Sequence, residues 1–131
     1  MAIKKRVKTG IVGLDELLNG GLLEGHSVLL SGPCGSGKSI LGMHFIYNGI
    51  TRYNEKGLYV SFEEEKPKII ENMSSLGMDI KKIEKSKKLI LVGGSLGNLS
   101  SFISRVGAEM DHIIEEIAEI IKENNIRRVV I

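Results

Sequence analysis

Eight consecutive residues carry the most specific chemistry in the sequence. Gly32-Pro33-Cys34-Gly35-Ser36-Gly37-Lys38-Ser39 satisfies the pattern G-x-x-x-x-G-K-[ST] in full. Each fixed residue type has a physical job. Gly35 and Gly37 let the backbone wrap closely, so that successive N–H groups converge on phosphate oxygens. A helix starting where the loop ends turns its positive N-terminus toward the same anion. Lys38 can reach the β- and γ-phosphates as a mobile point charge. The Ser39 hydroxyl suits Mg2+ bridging those phosphates. With Ile40 following, residues 32–40 form the candidate nucleotide-binding stretch, and ATP with Mg2+ is the expected ligand. A glycine turn with no ligand is the bland alternative. The flanking pattern argues against it, because an apolar run enters the loop and an apolar-periodic segment leaves it.

The elements that must position this loop follow from periodicity. Leu14, Leu17 and Leu18 predict a short amphipathic helix, ended by Asn19-Gly20-Gly21. The basic start at Lys4, Lys5, Arg6 and Lys8 is expected to fray. Ser27–Ser31 reads as a buried strand, and a helix is predicted from Ser36 to about Tyr47. Gly57–Phe62 reads as a second strand. Pro67 suits the first turn of the next helix, with Ile69, Ile70, Met73 and Leu76 on its inner face and Gly77 closing it. Lys81–Lys88, five Lys against Glu84, reads as a solvated basic connector. Leu89–Val92 is a third strand, turned by Gly93-Gly94-Ser95. A long helix is predicted from about Ser100, with Ile103, Val106, Met110, Ile113, Ile117, Ile120 and Ile121 on one face and Asp111, Glu115, Glu116 and Glu119 on the other. Val129-Val130-Ile131 reads as a fourth strand. Strands alternating with helices predict an α/β fold in three layers with a mostly parallel sheet.

From Thr9 onward the sequence resembles the KaiC-type branch of the RecA-like P-loop ATPases. Gly13-Leu14-Asp15-Glu16-Leu17-Leu18 and the Gly20-Gly21 turn match an element that precedes the phosphate loop in that family. Tyr59-Val60-Ser61-Phe62-Glu63-Glu64 looks like the strand ending in the family's paired catalytic glutamates. Leu76-Gly77 and Asp79 look like its usual continuation. The resemblance covers residues 9–80 closely and the rest in pattern. It implies ATP hydrolysis with Mg2+, in which Glu63, or else Glu64, holds the attacking water while Lys38 neutralises charge. Both glutamates follow a strand, and neighbours on extended chain face opposite ways, so one of the two is expected to face the γ-phosphate. A solvated acidic loop is the competing reading for Glu63, Glu64 and Glu65. The resemblance also implies a homo-oligomeric ring in the intact parent, with a hexamer as one candidate, and a transition-state cation supplied by a neighbouring subunit.

In this family the strand at Arg127–Ile131 runs into the Walker B aspartate, which would be residue 132. One partial ATPase domain over residues 1–131 is therefore expected, truncated from a longer one and binding ATP or ADP better than it turns ATP over. By the same resemblance, the strand at Arg127 would flank Ser27–Ser31, whose other edge would be open and prone to self-association.

Composition narrows the function classes. Lys plus Arg is 18 against 16 Asp plus Glu, a formal +2. That balance gives no electrostatic reason to favour nucleic acid or an anionic membrane. Glycine is raised, at 16 of 131 residues, against a usual ~7%. One cysteine excludes an internal disulfide framework and a four-Cys zinc site, and fits a reducing cytoplasm. Cys34 is expected to be partly buried and inert. No run of about 18 apolar residues predicts a membrane span. His26, His44 and His112 have no metal-ligand spacing. Two alternatives to an ATPase stay open: a nucleotide-gated binding module with negligible turnover, and a DNA-repair recombinase relative.

Overall fold

The computed structural model describes residues 3–94 and 109–131. The chain opens with two short strands, β1 (Arg6–Val7) and β2 (Leu22–Leu23), paired antiparallel, with helix α1 (Leu14–Leu17) between them. The basic start is therefore not frayed. Arg6 donates to the Leu18 and Gly21 carbonyls, and Lys5 pairs with Glu24.

The main body is a parallel sheet in the order β4-β3-β5. Helix α2 (Lys38–Tyr53) leads into β3 (Gly57–Ser61). Helices α3 (Lys66–Ser75) and α4 (Ile80–Lys85) then lead into β4 (Leu89–Gly93). Helix α5 (Glu109–Glu123) leads into β5 (Arg128–Val130). Tyr59 of β3 registers with Leu91 on one side and Val130 on the other.

Alternation along β3 divides the core between the two faces of the sheet. Tyr59 faces a cluster with Met43, Ile46 and Ile50 of α2, Ile69 and Met73 of α3, and Ile80 and Ile83 of α4. Leu58 and Val60 face the other way, against Ile117, Ile120 and Ile121 of α5. The three-layer α/β expectation holds.

Several local expectations give way to tertiary context. Lys81–Lys88 is not a connector over its first half. Ile80 and Ile83 are buried, and the Asp79 carboxylate accepts from the Lys82 N–H as an N-cap, so Lys81, Lys82 and Lys85 ride the outer face of α4. Leu76 lies outside the core, and Met78 occupies the buried position next to Met73. Helix α2 runs to Tyr53, six residues past the expected end. The predicted long helix is described from Glu109 onward, so Ile103 and Val106 lie outside the described residues, as does Ser95 of the predicted turn.

The largest correction concerns Ser27–Ser31. The segment joins no strand ladder among the described residues, and Val28, Leu29 and Leu30 are 61%, 91% and 45% exposed. The expected neighbour, the strand at Arg128, pairs with β3 instead. An apolar run becomes a buried strand only when partner strands reach it, and none of the described strands does.

Candidate nucleotide-binding site

The phosphate-loop candidate forms a compact bend at the head of α2. Gly35 and Gly37 have φ of 77° and 92°, left-handed values that side chains with a Cβ resist. The Ser36 N–H donates to the Pro33 carbonyl, and the Leu41 N–H donates to the Gly37 carbonyl as the first helical bond. No side chain caps α2 at Gly37. The free N–H groups of its first turn therefore keep their capacity for an anion.

The Lys38 side chain folds back over the loop. Its Nζ donates to the Gly32 and Pro33 carbonyls at 2.8 and 2.9 Å. These bonds are solvent-exposed and exchangeable, so the ammonium is held at the loop and available to phosphate oxygens. Residues 32–36 are exposed, and so is Ile40. Cys34 is exposed as well, which corrects the expectation of a partly buried thiol.

Ser39 sits in the first turn of α2, on the helix that packs against Tyr59 of β3. Burial pushes the Tyr59 phenol up from its ordinary value, and the negative charge of Glu64 adds to the shift while the Ser39 side chain opposes it. Glu64 follows the end of β3, in a bend fixed by its own N–H donating to the Ser61 hydroxyl. Its carboxylate accepts from the Asn72 amide at 3.0 Å. Glu63 is exposed and makes no hydrogen bond or ion pair with the described residues. The structure thus ties Glu64 to Ser61 and Asn72 and leaves Glu63 open to solvent.

Two supports for this bend were not foreseen from the sequence. The Gly94 N–H donates to the Ser61 carbonyl at 3.1 Å. A Cβ at Gly93 would lie 2.6 Å from the Lys66 nitrogen and 2.9 Å from the Glu64 carbonyl oxygen. Backbone meets backbone there, so neither side can yield by rotating a side chain. Gly93→Ala is expected to push the acidic bend outward and lower any ATP turnover at least tenfold, while ATP affinity stays near wild type. Phosphate release and a binding titration on the same preparation check this. The close approach at Gly93 was not legible in the sequence.

The Gly13–Leu18 element is tied to α2 through Asp15. Its carboxylate accepts from the Thr9 N–H and hydroxyl at 2.8 and 2.7 Å, and from the Gly10 N–H at 3.0 Å. Asn48 and Arg52 of α2 then donate to the Thr9 and Gly10 carbonyls. Desolvation alone would raise the Asp15 pKa, but the Thr9 and Gly10 bonds and the Lys8 charge outweigh it and hold the group below its ordinary value. A depressed carboxylate stabilises the fold above its unfolded pKa and loses that contribution as pH falls through the folded value. Wild type should therefore lose stability on acidification below about pH 4 more steeply than Asp15→Asn, as read by thermal melts across pH 2–6.

A parallel sheet with helices on both faces, presenting a glycine-wrapped lysine loop at the head of one helix, defines a P-loop nucleotide-binding domain of the RecA-like kind. Comparison with known proteins narrows the class. A family model described as the KaiC ATPase matches residues 7–131, and the chain belongs to that family. A UPF0273 protein of Methanocaldococcus jannaschii is 45% identical over 101 residues, covering 77% of this chain and 42% of that protein. The circadian clock oscillator protein KaiC of Prochlorococcus marinus is 38% identical over 91 residues, covering 70% of this chain and 18% of that protein. The crystal structure of a KaiC-like protein from Pyrococcus horikoshii superposes with a TM-score of 0.84 at 36% identity, covering 98% of this chain and 53% of that one. The chain spans about half the length of the curated UPF0273 relatives it matches. Family membership implies nucleotide binding and an ATPase module. Among the described residues, no helix is long and apolar enough to cross a membrane.

Proposed function

We propose that this chain binds ATP together with Mg2+ and supplies the phosphate-gripping half of an ATPase that works as a homo-oligomeric ring in the cytoplasm. The observation that carries the reading is the Lys38 ammonium, held over a loop whose helix begins with uncapped N–H groups. Loop amides, the helix terminus and Lys38 converge positive potential on one point, which suits a triphosphate tail. Ser39 is the residue that would hold Mg2+, an ion that supplies charge neutralisation at the β- and γ-phosphates. Glu63 is the first candidate to orient the attacking water, since it is exposed and unengaged. Glu64, tied to Asn72, is the second. A relative named as a circadian clock oscillator protein supports a signalling or regulatory use.

Titration with a fluorescent ATP analogue, with Mg2+ present and folding verified by circular dichroism, tests the reading. Saturable binding is expected, and its absence overturns the proposal. Where phosphate release is measurable, Glu63→Gln should lower it by ~10²-fold or more without weakening binding. Unchanged release would remove Glu63 from the role. Saturable binding with no release at all would favour a nucleotide-gated binding module. Salt-dependent DNA binding would favour a recombinase relative.

A further inference from the structure

The three strands of the sheet begin in step. Gly57 of β3 registers with Leu89 of β4 and with Arg128 of β5. One residue ahead of each stands a cation, so Lys56 is flanked by Lys88 and Arg127. Backbone bonds fix this row. The Lys88 carbonyl accepts from the Gly57 N–H and the Lys56 carbonyl from the Arg127 N–H, both at 2.9 Å. At the usual strand spacing the row spans roughly 10 Å of the sheet's leading edge. All three residues line one cavity of about 260 Å³, together with Asn54, Glu55 and Asn125.

The charge in this cavity is largely unanswered. Its carboxylate, Glu55, is paired with the buried Arg128. Lys88 donates to the neutral Asn54 amide oxygen at 3.0 Å, which leaves the Asn54 NH2 group as a further donor. Arg127 shares Glu24 with Lys5. Lys56 has no hydrogen bond or ion pair with the described residues. Helices α2, α4 and α5 end just ahead of the row. Their C-termini answer about half a charge each, so more than one positive charge is left over. Like charges at neighbouring strand positions repel unless a counter-charge meets them. The row outreaches a single phosphoryl group, and the volume lies below the ~300–1,000 Å³ of sites for larger ligands. We propose that the cavity is a second anion site, for a small anion of two linked phosphoryl groups held by Lys56, Lys88 and Arg127. Helix α2 separates it from the phosphate loop by about 24 Å, and the inference does not rest on the nucleotide-binding reading.

The test is calorimetric titration of the full chain carrying Lys38→Ala, which keeps the phosphate loop out of the readout. The probe is inorganic pyrophosphate, without Mg2+ and at physiological ionic strength. One saturable site is expected. Adding Lys56→Gln or Lys88→Gln should weaken it by on the order of tenfold each, the worth of one charge-assisted hydrogen bond. Both lysines lie at the surface of the edge, so the variants should stay folded by circular dichroism. Lys81→Gln, on the exposed face of α4 away from the cavity, should leave the affinity unchanged. Orthophosphate and succinate should each bind at least tenfold more weakly than pyrophosphate. Absence of saturable uptake overturns the proposal, and a lower melting temperature in Lys56→Gln would then assign the row to the helix termini. An equal loss in Lys81→Gln, or equal binding of succinate, overturns it as well, because net charge alone would explain the uptake. Equal binding of orthophosphate would remove the second phosphoryl group and with it the proposed ligand. Failure of ATP to bind wild type, with pyrophosphate still taken up by the Lys38→Ala chain, would sink the nucleotide reading and leave this one standing.

Discussion

Replacing Lys38 by alanine is expected to reduce ATP affinity by on the order of 10²- to 10⁴-fold while leaving the fold intact. The magnitude follows from the loss of about two charge-assisted hydrogen bonds to phosphate oxygens, each worth ~1.5–3 kcal/mol. The fold should survive because the Lys38 bonds to the Gly32 and Pro33 carbonyls lie at the surface, where water replaces a lost donor. Lys38→Arg should not restore affinity, since a planar guanidinium does not reproduce a compact ammonium inside a tight loop. Binding titrations and thermal melts on the same samples check both halves. Wild-type affinity in Lys38→Ala would mean that the loop does not grip phosphate.

The second large effect lies at the opposite end of α2 and inverts that pattern. Arg128, the first residue of β5, has a side chain only 1% exposed. Its guanidinium donates to the Phe45 carbonyl and to the Glu55 carboxylate, both at 2.9 Å. It stacks on Phe45 at 4.6 Å and on Tyr53 at 5.2 Å from the ring centroids. A Cβ at Gly49 would lie 2.3 Å from Arg128 Cδ, so the helix is bare there to let the arginine pass. The Arg128 Nε is buried without a partner, so the pairing already carries some desolvation cost. Breaking such a pair leaves a half-buried Glu55 charge without its partner and a void, while the Phe45 carbonyl keeps its place in the helix. Arg128→Ala is expected to cost about 3–5 kcal/mol, the range for removing one partner of a buried ion pair. That is a large share of the ~5–15 kcal/mol that holds a typical domain together. Urea denaturation is the measurement, and a loss under about 1 kcal/mol would show that Arg128 does not tie β5 to α2. Surviving folded chains should still bind ATP, because Arg128 is remote from the phosphate loop in sequence and packs on the far half of the helix.

The site was more legible than its supports, for a physical reason. In the nucleotide-binding reading Gly35, Gly37, Lys38 and Ser39 have local jobs, and local jobs leave a local signature. Pairing and burial depend on distant chain and leave none. Ser27–Ser31 has the composition of a buried strand, yet nothing in those five residues says which strand will lie beside them. Arg128 reads as one more charge ahead of a strand, and its burial becomes visible only once Phe45, Gly49, Tyr53 and Glu55 surround it. In α4, the charges of Lys81, Lys82 and Lys85 masked the spacing of Ile80 and Ile83, a short signal that needs Met73 and Met78 opposite it to count. Asp15 was recognised by resemblance to a family element, but the three donors that explain it came from the structure.

The clasp between Arg128 and α2 constrains how the domain can respond to a ligand. From Ser39 to Gly49 the helix climbs about 15 Å, and only its upper turn meets the phosphate loop. Held at Phe45 and Gly49, it cannot slide along its own axis when charge arrives above; the low-resistance motion is a tilt about that pivot. Asn48 and Arg52 carry the Thr9-Gly10 backbone on the same shaft. A small swing at the loaded end would therefore reach the Gly10 backbone, lever-fashion, through Arg52 beyond the fulcrum, while the Asn48 bond to Thr9 sits at the pivot itself.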